Sequence, residues 1–467
     1  MMTLKERILN AHATKTLDEA LSELSLFQDG KLVGSGDGKL SVSTNGRLQI
    51  EVNVENVPFN IDFSSPGTII PDKRFCEIIA KTCDNLTFKA NKLYAKTTSY
   101  RKDKPAYALF EPVQVTFLSP VTQQPYSSFD VFIAPFDCDF FNRHSVGGEI
   151  KNPVFGDNVS GQWFSVETIE MAIGLRSDSD LWMHLKVNSK AVGACNIEKY
   201  ATAFLNAVRF HAGTNLECLA YSHITAEREE IILISHGSKN KRQFYKPLPN
   251  HEFEASKKLL LCGLDFFLKE TCRPVLTALH VCWESSKLTF PTNCLLVCSV
   301  VEGLADFILK DAESELKELQ SGLLASIDGH QNSRNRSYFN RVKEVIKKEE
   351  LFKDAEKTRK AADWLKIKIT DKELAAWNKL RHPLAHGNFT LDVDSTSEIQ
   401  DKLNQAACVA NIVNKFVLAL IRYEGPYRDY STVEYPTCNF PIGDLEKSVE
   451  PCPCPLNPAI THPPSLA

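Results

Sequence analysis

The chain has 467 residues, 43% of them hydrophobic and 24% charged. That is too long for one ordinary core and too apolar for broad disorder, so two or three folded domains are expected. A net charge of −4 excludes a whole-chain electrostatic pull toward nucleic acid, and any such contact must come from a local basic patch.

The N-terminal stretch MMTLKERILNAHATK lacks the apolar core of a signal peptide. No apolar run reaches the 18 or so residues that a bilayer span needs. A cytoplasmic protein with no membrane contact is expected. The 14 cysteines include no C-x-x-C pair, which leaves a structural zinc site unsupported. Many sit among apolar residues and read as buried free thiols in a reducing compartment.

Residues 1–250 read as a β-rich domain. Short alternating runs are separated by turn signals, and Asn45-Gly46 marks a hairpin because both positions tolerate positive φ. Further runs, at 85–100 and 112–120, continue the pattern, and one helix interrupts it near Glu198–Arg209. GSGDGK, residues 34–39, has the wrong spacing for a phosphate loop, with Leu40 where Ser or Thr is needed. A hairpin turn is expected there.

Residues 251–430 read as a helical bundle. Helices are expected over Glu252–Glu270, Asn293–Leu309, 313–327 and 336–350. Another starts at Thr370, where Thr370 and Glu373 make a capping box before Leu374, Trp377 and Leu380. In the last helix Ser395 and Glu398 make a second box. Ile399, Leu403, Ala406, Ala410, Val413, Val417 and Leu420 then form a stripe that must face other helices. The fold class is thus α+β. Residues 431–467 hold eight of the 23 prolines, all from Pro436 onward, and read as an extended or disordered tail.

One stretch carries chemistry: KLRHPLAHGNF, residues 379–389. Pro383 disfavours the α conformation at His382, so the helix should kink or end there, with Arg381 closing it. Four residues separate Arg381 from His386, and Gly387 permits a turn. A histidine near neutral pKa can move protons at a 2′-hydroxyl or a leaving 5′-oxygen. An arginine stays charged and can hold phosphate oxygens as negative charge develops. Neither role needs a metal or cofactor. Arg273 and His280, with six residues between them, also fit a loose spacing, but Arg273 is followed at once by Pro274 and the pair is set aside. No H-E-x-x-H or G-x-S-x-G occurs.

Residues 292–430 resemble the HEPN domain, most closely that of ApeA-like anti-phage proteins. The resemblance rests on LLVCSVVEGLADFIL with Glu302 inside it, on LRHPLAHGNF, and on IRYEGPYRDYS at 421–431. His382 departs from the family, which often has Asn there. The β-rich region resembles the domain that accompanies such modules. The resemblance implies an all-α domain that forms a homodimer, with both copies of the Arg381–His386 motif meeting in one ribonuclease site. It implies an anti-phage, abortive-infection effector that cuts RNA, with a phage-derived trigger sensed by the β-rich part. A non-catalytic module that binds RNA or a nucleotide and dimerises is the alternative.

Two signals stay open. Glu302 lies in an otherwise apolar helix face, where it either orients Arg381 or His386 or forms a structural ion pair. Arg334, Arg336 and Arg341 are interleaved with Tyr338 and Phe339. They suit RNA backbone contact with base stacking, or make a solvated helix face.

Overall fold

The computed structural model describes residues 4–55, 75–93, 95–99, 105–120, 127–133, 159–166, 169–176, 183–189, 197–225, 228–235, 244–249, 253–329, 336–348, 354–385 and 396–441. Statements below concern these residues. The fold is α+β, with strands gathered in the first half and helices in the second.

The strands are β1 (Asp18–Gln28), β2 (Lys31–Val42), β3 (Leu48–Glu55), β4 (Cys76–Thr82), β5 (Thr87–Leu93), β6 (Ala95–Ser99), β7 (Ala106–Phe110), β8 (Gln114–Pro120), β9 (Ser127–Ile133), β10 (Val159–Val166), β11 (Ile169–Arg176), β12 (Met183–Ser189), β13 (Cys218–Ile224) and β14 (Arg228–Ile234). They form one sheet in the order β10-β11-β12-β9-β13-β14-β8-β5-β4-β1-β2-β3-β7-β6. Every pairing is antiparallel. Alternation sets the faces: Leu48, Ile50, Val52 and Val54 of β3 are all fully buried, with more exposed residues between them. The expected hairpin joins β2 to β3, with Gly46 at φ 86° and its amide on the Ser43 carbonyl at 2.9 Å. The GSGDGK run lies within β2 itself rather than in a turn. An added Cβ at Gly36 would run into the Asn53 backbone oxygen of β3, so close strand approach selects glycine there.

Two cores share this sheet. One gathers β1–β8 beneath α1 (Leu4–Ala13), with Phe132 of β9 reaching into it. His12 anchors α1 by donating from Nε2 to the Ile234 carbonyl at 2.9 Å. The other core takes Phe129, Val131 and Ile133 from the opposite face of β9, together with α2 (Ile197–Ala212) and the helical half. The helix expected near Glu198–Arg209 is therefore the adhesive between sheet and bundle. Packing continues across residue 250, where composition changes.

The helical half comprises α3 (Phe253–Phe267), a 3-10 turn at Glu270–Cys272, α4 (Arg273–Ser285), α5 (Thr292–Gly329), α6 (Arg336–Lys348), α7 (Asp354–Trp364), α8 (Asp371–Ala385) and α9 (Thr396–Leu420). Gly263 of α3 packs on Ala207 of α2, where an added Cβ would sit 2.9 Å from the Ala207 Cβ. The segments expected at 293–309 and 313–327 are one continuous α5. On α9 the single apolar stripe was too narrow an expectation. Residues 407–418 are buried on all sides, while Leu403 on that stripe is 43% exposed. Thr292–Lys310 and Ser397–Leu420 are apolar and long enough to cross a membrane, and 50% and 72% of these windows are buried in the protein. A central core helix has that composition.

The expected unstructured tail begins too early at 431. A hairpin of β15 (Gly425–Arg428) and β16 (Thr437–Phe440) follows α9, and Tyr423, Tyr427 and Phe440 are buried in the helical core. The Arg428 amide donates to the Pro247 carbonyl at 2.9 Å, and the Tyr430 hydroxyl to that of Lys246 at 2.8 Å. The prolines that suggested a tail lie mostly beyond residue 441, outside the described residues.

Candidate functional site

Helix α8 starts where the sequence says it should. The Thr370 amide donates to Glu373 Oε2 at 2.7 Å, and the Glu373 amide donates to Thr370 Oγ1 at 3.2 Å. Leu374, Trp377 and Leu380 then face the core, with Trp377 and Leu380 fully buried. Trp377 Nε1 donates to the Cys298 carbonyl of α5 at 3.2 Å, which fixes the crossing of the two helices.

The end of α8 differs from expectation. The helix neither ends at Arg381 nor stops at Pro383 but runs on to Ala385. Pro383 removes the donor to the Lys379 carbonyl and crowds it, a local cost that the helix bears here. Leu384 packs against the helical core, which favours completing the turn. Arg381 and His382 are therefore on a regular helical surface. His386 follows Ala385 directly and, with Gly387, lies outside the described residues.

Arg381 is held from two directions. Its Nε donates to Glu302 Oε1 of α5. Its guanidinium carbon lies 5.6 Å from the centroid of the Trp377 ring, one helical turn back. The Arg381 and Glu302 side chains retain 28% and 34% exposure, so solutes can reach both. A half-exposed ion pair contributes little to stability, about 0–1 kcal/mol. Its effect is to fix the direction of the arginine. Of the two readings of Glu302, orienting Arg381 fits this geometry. The surrounding thiol is inert: burial pushes the Cys298 thiol far up. His382 is exposed beside Arg381.

The basic helix stands apart from this site. Arg334 lies outside the described residues, and of Arg336 only the backbone position, opening α6, is described. Arg341 and Tyr338 on α6 are exposed, and the Tyr338 and Phe339 rings meet edge-on at 5.9 Å. Lys343 pairs with Asp328, near the far end of α5. Asp328 is 26 residues from Glu302 on the same helix, a rise of about 39 Å. Within one chain the basic helix and Arg381 do not form a single groove. Arg273 and His280, set aside earlier, are exposed on α4 and two turns apart, about 10 Å along the axis.

The residues that sequence reasoning missed lie just behind α8. Glu373, beyond its capping role, forms an ion pair with Lys415 of α9 at 2.8 Å, and the two side chains are 0% and 1% exposed. Asn411 Nδ2 donates to Glu373 Oε1 at 2.7 Å and to Asp429 Oδ1 at 2.8 Å. Asp429 also accepts from the Ser431 amide and hydroxyl and from the Thr432 hydroxyl. Burial opposes ionisation of Asp429, but the Ser431 and Thr432 donors outweigh it and hold the carboxyl below its usual range. This network explains why IRYEGPYRDYS follows α9: it closes a buried polar cluster that locks α8 against α9. Asn411 and Lys415 interrupting an apolar helix were the available signal.

A trio that could suit a metal ion, Glu19, Cys83 and Asp84, lies on the β-rich side. Arg7 already bridges Glu19 at 2.8 Å and Asp84 at 2.5 Å, so a guanidinium supplies the positive charge. No family model, curated protein or solved structure matches the chain.

Proposed function

We propose that the chain is a metal-independent endoribonuclease of the HEPN type, a cytoplasmic anti-phage effector acting as a homodimer through its helical half. The observation that carries this reading is the fixed guanidinium of Arg381. It is reachable from solvent at the last turn of α8, with His386 directly beyond the helix end. An arginine aimed by a carboxylate and an indole is pre-positioned for a phosphate.

In this mechanism the RNA supplies its own nucleophile. The 2′-oxygen attacks the adjacent phosphorus, the bond from phosphorus to the 5′-oxygen breaks, and a 2′,3′-cyclic phosphate and a 5′-hydroxyl result. His386 moves the proton and Arg381 stabilises the charged phosphorane. His382 contacts phosphate beside it. Neither cofactor nor metal takes part. The β-rich half regulates the nuclease by sensing a phage-derived trigger.

The Glu302 ion pair favours a second reading, a non-catalytic HEPN module that binds RNA or a nucleotide and dimerises, because a paired arginine also serves architecture. Purified protein incubated with total RNA, with and without EDTA, separates the two. The nuclease gives EDTA-resistant cyclic-phosphate ends that vanish in His386→Ala; binding without cleavage rejects it.

A further inference from the structure

Helix α8 turns one face to solvent. Asp371, Lys372, Ala375, Asn378, Lys379 and His382 recur along it and are all exposed, while Leu374, Trp377 and Leu380 point into the core. The charge on that face is one-sided. From Lys372 to Ala385 the chain carries Lys372, Lys379, Arg381 and His382 but a single carboxylate, Glu373, which is buried against Lys415. Asp371, just before them, is paired with Arg359 of α7 at 2.9 Å. In a chain of net charge −4 this is a local surface that favours a polyanion.

Two residues on the face are uncommitted. Lys372 Nζ donates to the Ser431 carbonyl, but Asn378 and Lys379 make no hydrogen bond or ion pair among the described residues. Asn378 lies three residues before Arg381 and four before His382. Those spacings bring helical side chains together, with Cβ atoms about 5–6 Å apart. Its amide therefore offers a donor and an acceptor beside the guanidinium assigned to phosphate. Ala375, one turn further back, leaves a low floor on which a base can lie. An asparagine amide matches adenine with two hydrogen bonds, to N6 and N7. It reaches that edge only when the strand is unpaired, because the major groove of duplex RNA is too deep and narrow for side chains.

We propose that the exposed face of α8 is a track for single-stranded RNA, in which Asn378 selects adenine next to the phosphate held by Arg381 and Lys379 holds the backbone. This rests on the reading that RNA meets Arg381, which cleavage and binding alone have in common.

Fluorescence anisotropy of the full-length chain with 2′-O-methylated RNA tests it, because methylation blocks the nucleophile and separates binding from cleavage. The probes are single strands of about 12 nucleotides, one of uridines alone and one with adenines at its centre. The adenine strand is expected to bind at least about fivefold tighter. Asn378→Ala should bring the two within about twofold by weakening the adenine strand alone. Lys379→Ala should weaken both several-fold and reduce the slope of log Kd against log salt concentration by about 0.7. The adenine strand paired into a duplex should compete at least about tenfold more weakly. Both substitutions put a good helix former at an exposed helical position, and thermal melts confirm folding. Absent or equal binding of the two strands, a preference that survives in Asn378→Ala, or an unchanged salt slope in Lys379→Ala overturns the proposal. So does a duplex that competes as well as the single strand. Adenine preference without cleavage of unmodified RNA would reject the nuclease and leave the track standing; cleavage without the preference would do the reverse.

Discussion

Arg381 of α8 and Glu302 of α5 meet through a single Nε hydrogen bond, with the Trp377 ring backing the same guanidinium. In the proposed ribonuclease Glu302 would act on RNA only through Arg381, as a positioning residue. Glu302→Gln retains an acceptor for Nε, whereas Glu302→Ala does not. Misplacing a catalytic group by about 1 Å can cost on the order of 10² in rate. The alanine variant is expected to lose up to that factor in kcat with KM nearly unchanged. The glutamine variant should recover most of it. Steady-state cleavage of a fluorescent RNA measures both. Full kcat in Glu302→Ala would remove the role assigned to the pair.

Lys343, two residues from Arg341 on α6, pairs with Asp328, about 39 Å along α5 from Glu302, so Arg341 and Arg381 should fail differently. Arg341→Ala is expected to weaken RNA binding several-fold and leave kcat unchanged. Its salt slope, log Kd against log salt concentration, should drop by about 0.7 for a single-stranded substrate. Fluorescence anisotropy over a salt series reads this. An unchanged slope assigns α6 to a solvated face.

The legible parts of this chain were those encoded by local pattern. The capping box at Thr370, the Asn45-Gly46 turn and the β3 alternation all depend on neighbours in sequence, and all are formed. What escaped depends on distant partners. Pro383 reads as a helix stop until Leu384 is seen packing on the core. Helix α9 reads as a simple stripe until burial on every side over 407–418 makes it a central helix. Helices α4 and α7 were not expected, although Val275, Leu279, Cys282 and Trp283 of α4 recur at helical spacing and form its buried face. Within the candidate site, Arg381 and Glu302 could be picked out singly, but their contact spans 79 positions. The charged pair of Glu373 with Lys415 was hidden because a lysine in an apolar helix has no local explanation.

That buried pair makes a stability prediction. Lys415→Met leaves the Glu373 carboxylate inside the protein without its counter-charge, a loss of about 3–5 kcal/mol. The double variant Glu373→Gln with Lys415→Met removes both charges and keeps an acceptor for the Thr370 amide. It should be more stable than the lysine variant alone, since replacing both members of a buried pair is often near neutral. Urea unfolding followed by the fluorescence of the five tryptophans, Trp377 one turn from Glu373 among them, measures this. If the single and double variants unfold at the same urea concentration, the charges are not coupled as described.

His211, at the end of α2, links the sheet to the bundle by a 2.8 Å hydrogen bond between its Nε2 and Ser256 Oγ of α3. Burial, reinforced by the nearby positive charge of Lys246, lowers its pKa to about 3. In the unfolded chain the same imidazole titrates near 6.5. Below pH 6.5 the unfolded state therefore takes up a proton that the folded state refuses. The stability that His211 contributes is complete above pH 6.5 and is lost progressively as the pH falls toward 3. The slope reaches about 1.4 kcal/mol per pH unit. Acidifying from pH 7 to pH 5 should thus lower the melting temperature before carboxylates such as Asp429 begin to protonate. His211→Gln cannot titrate and can still reach Ser256, so its melting temperature should change less over the same interval. Calorimetric melts at half-unit steps compare the two. Equal pH slopes for wild type and His211→Gln, or a histidine NMR titration of His211 near 6.5, would show that this imidazole is not held neutral by the α2–α3 interface.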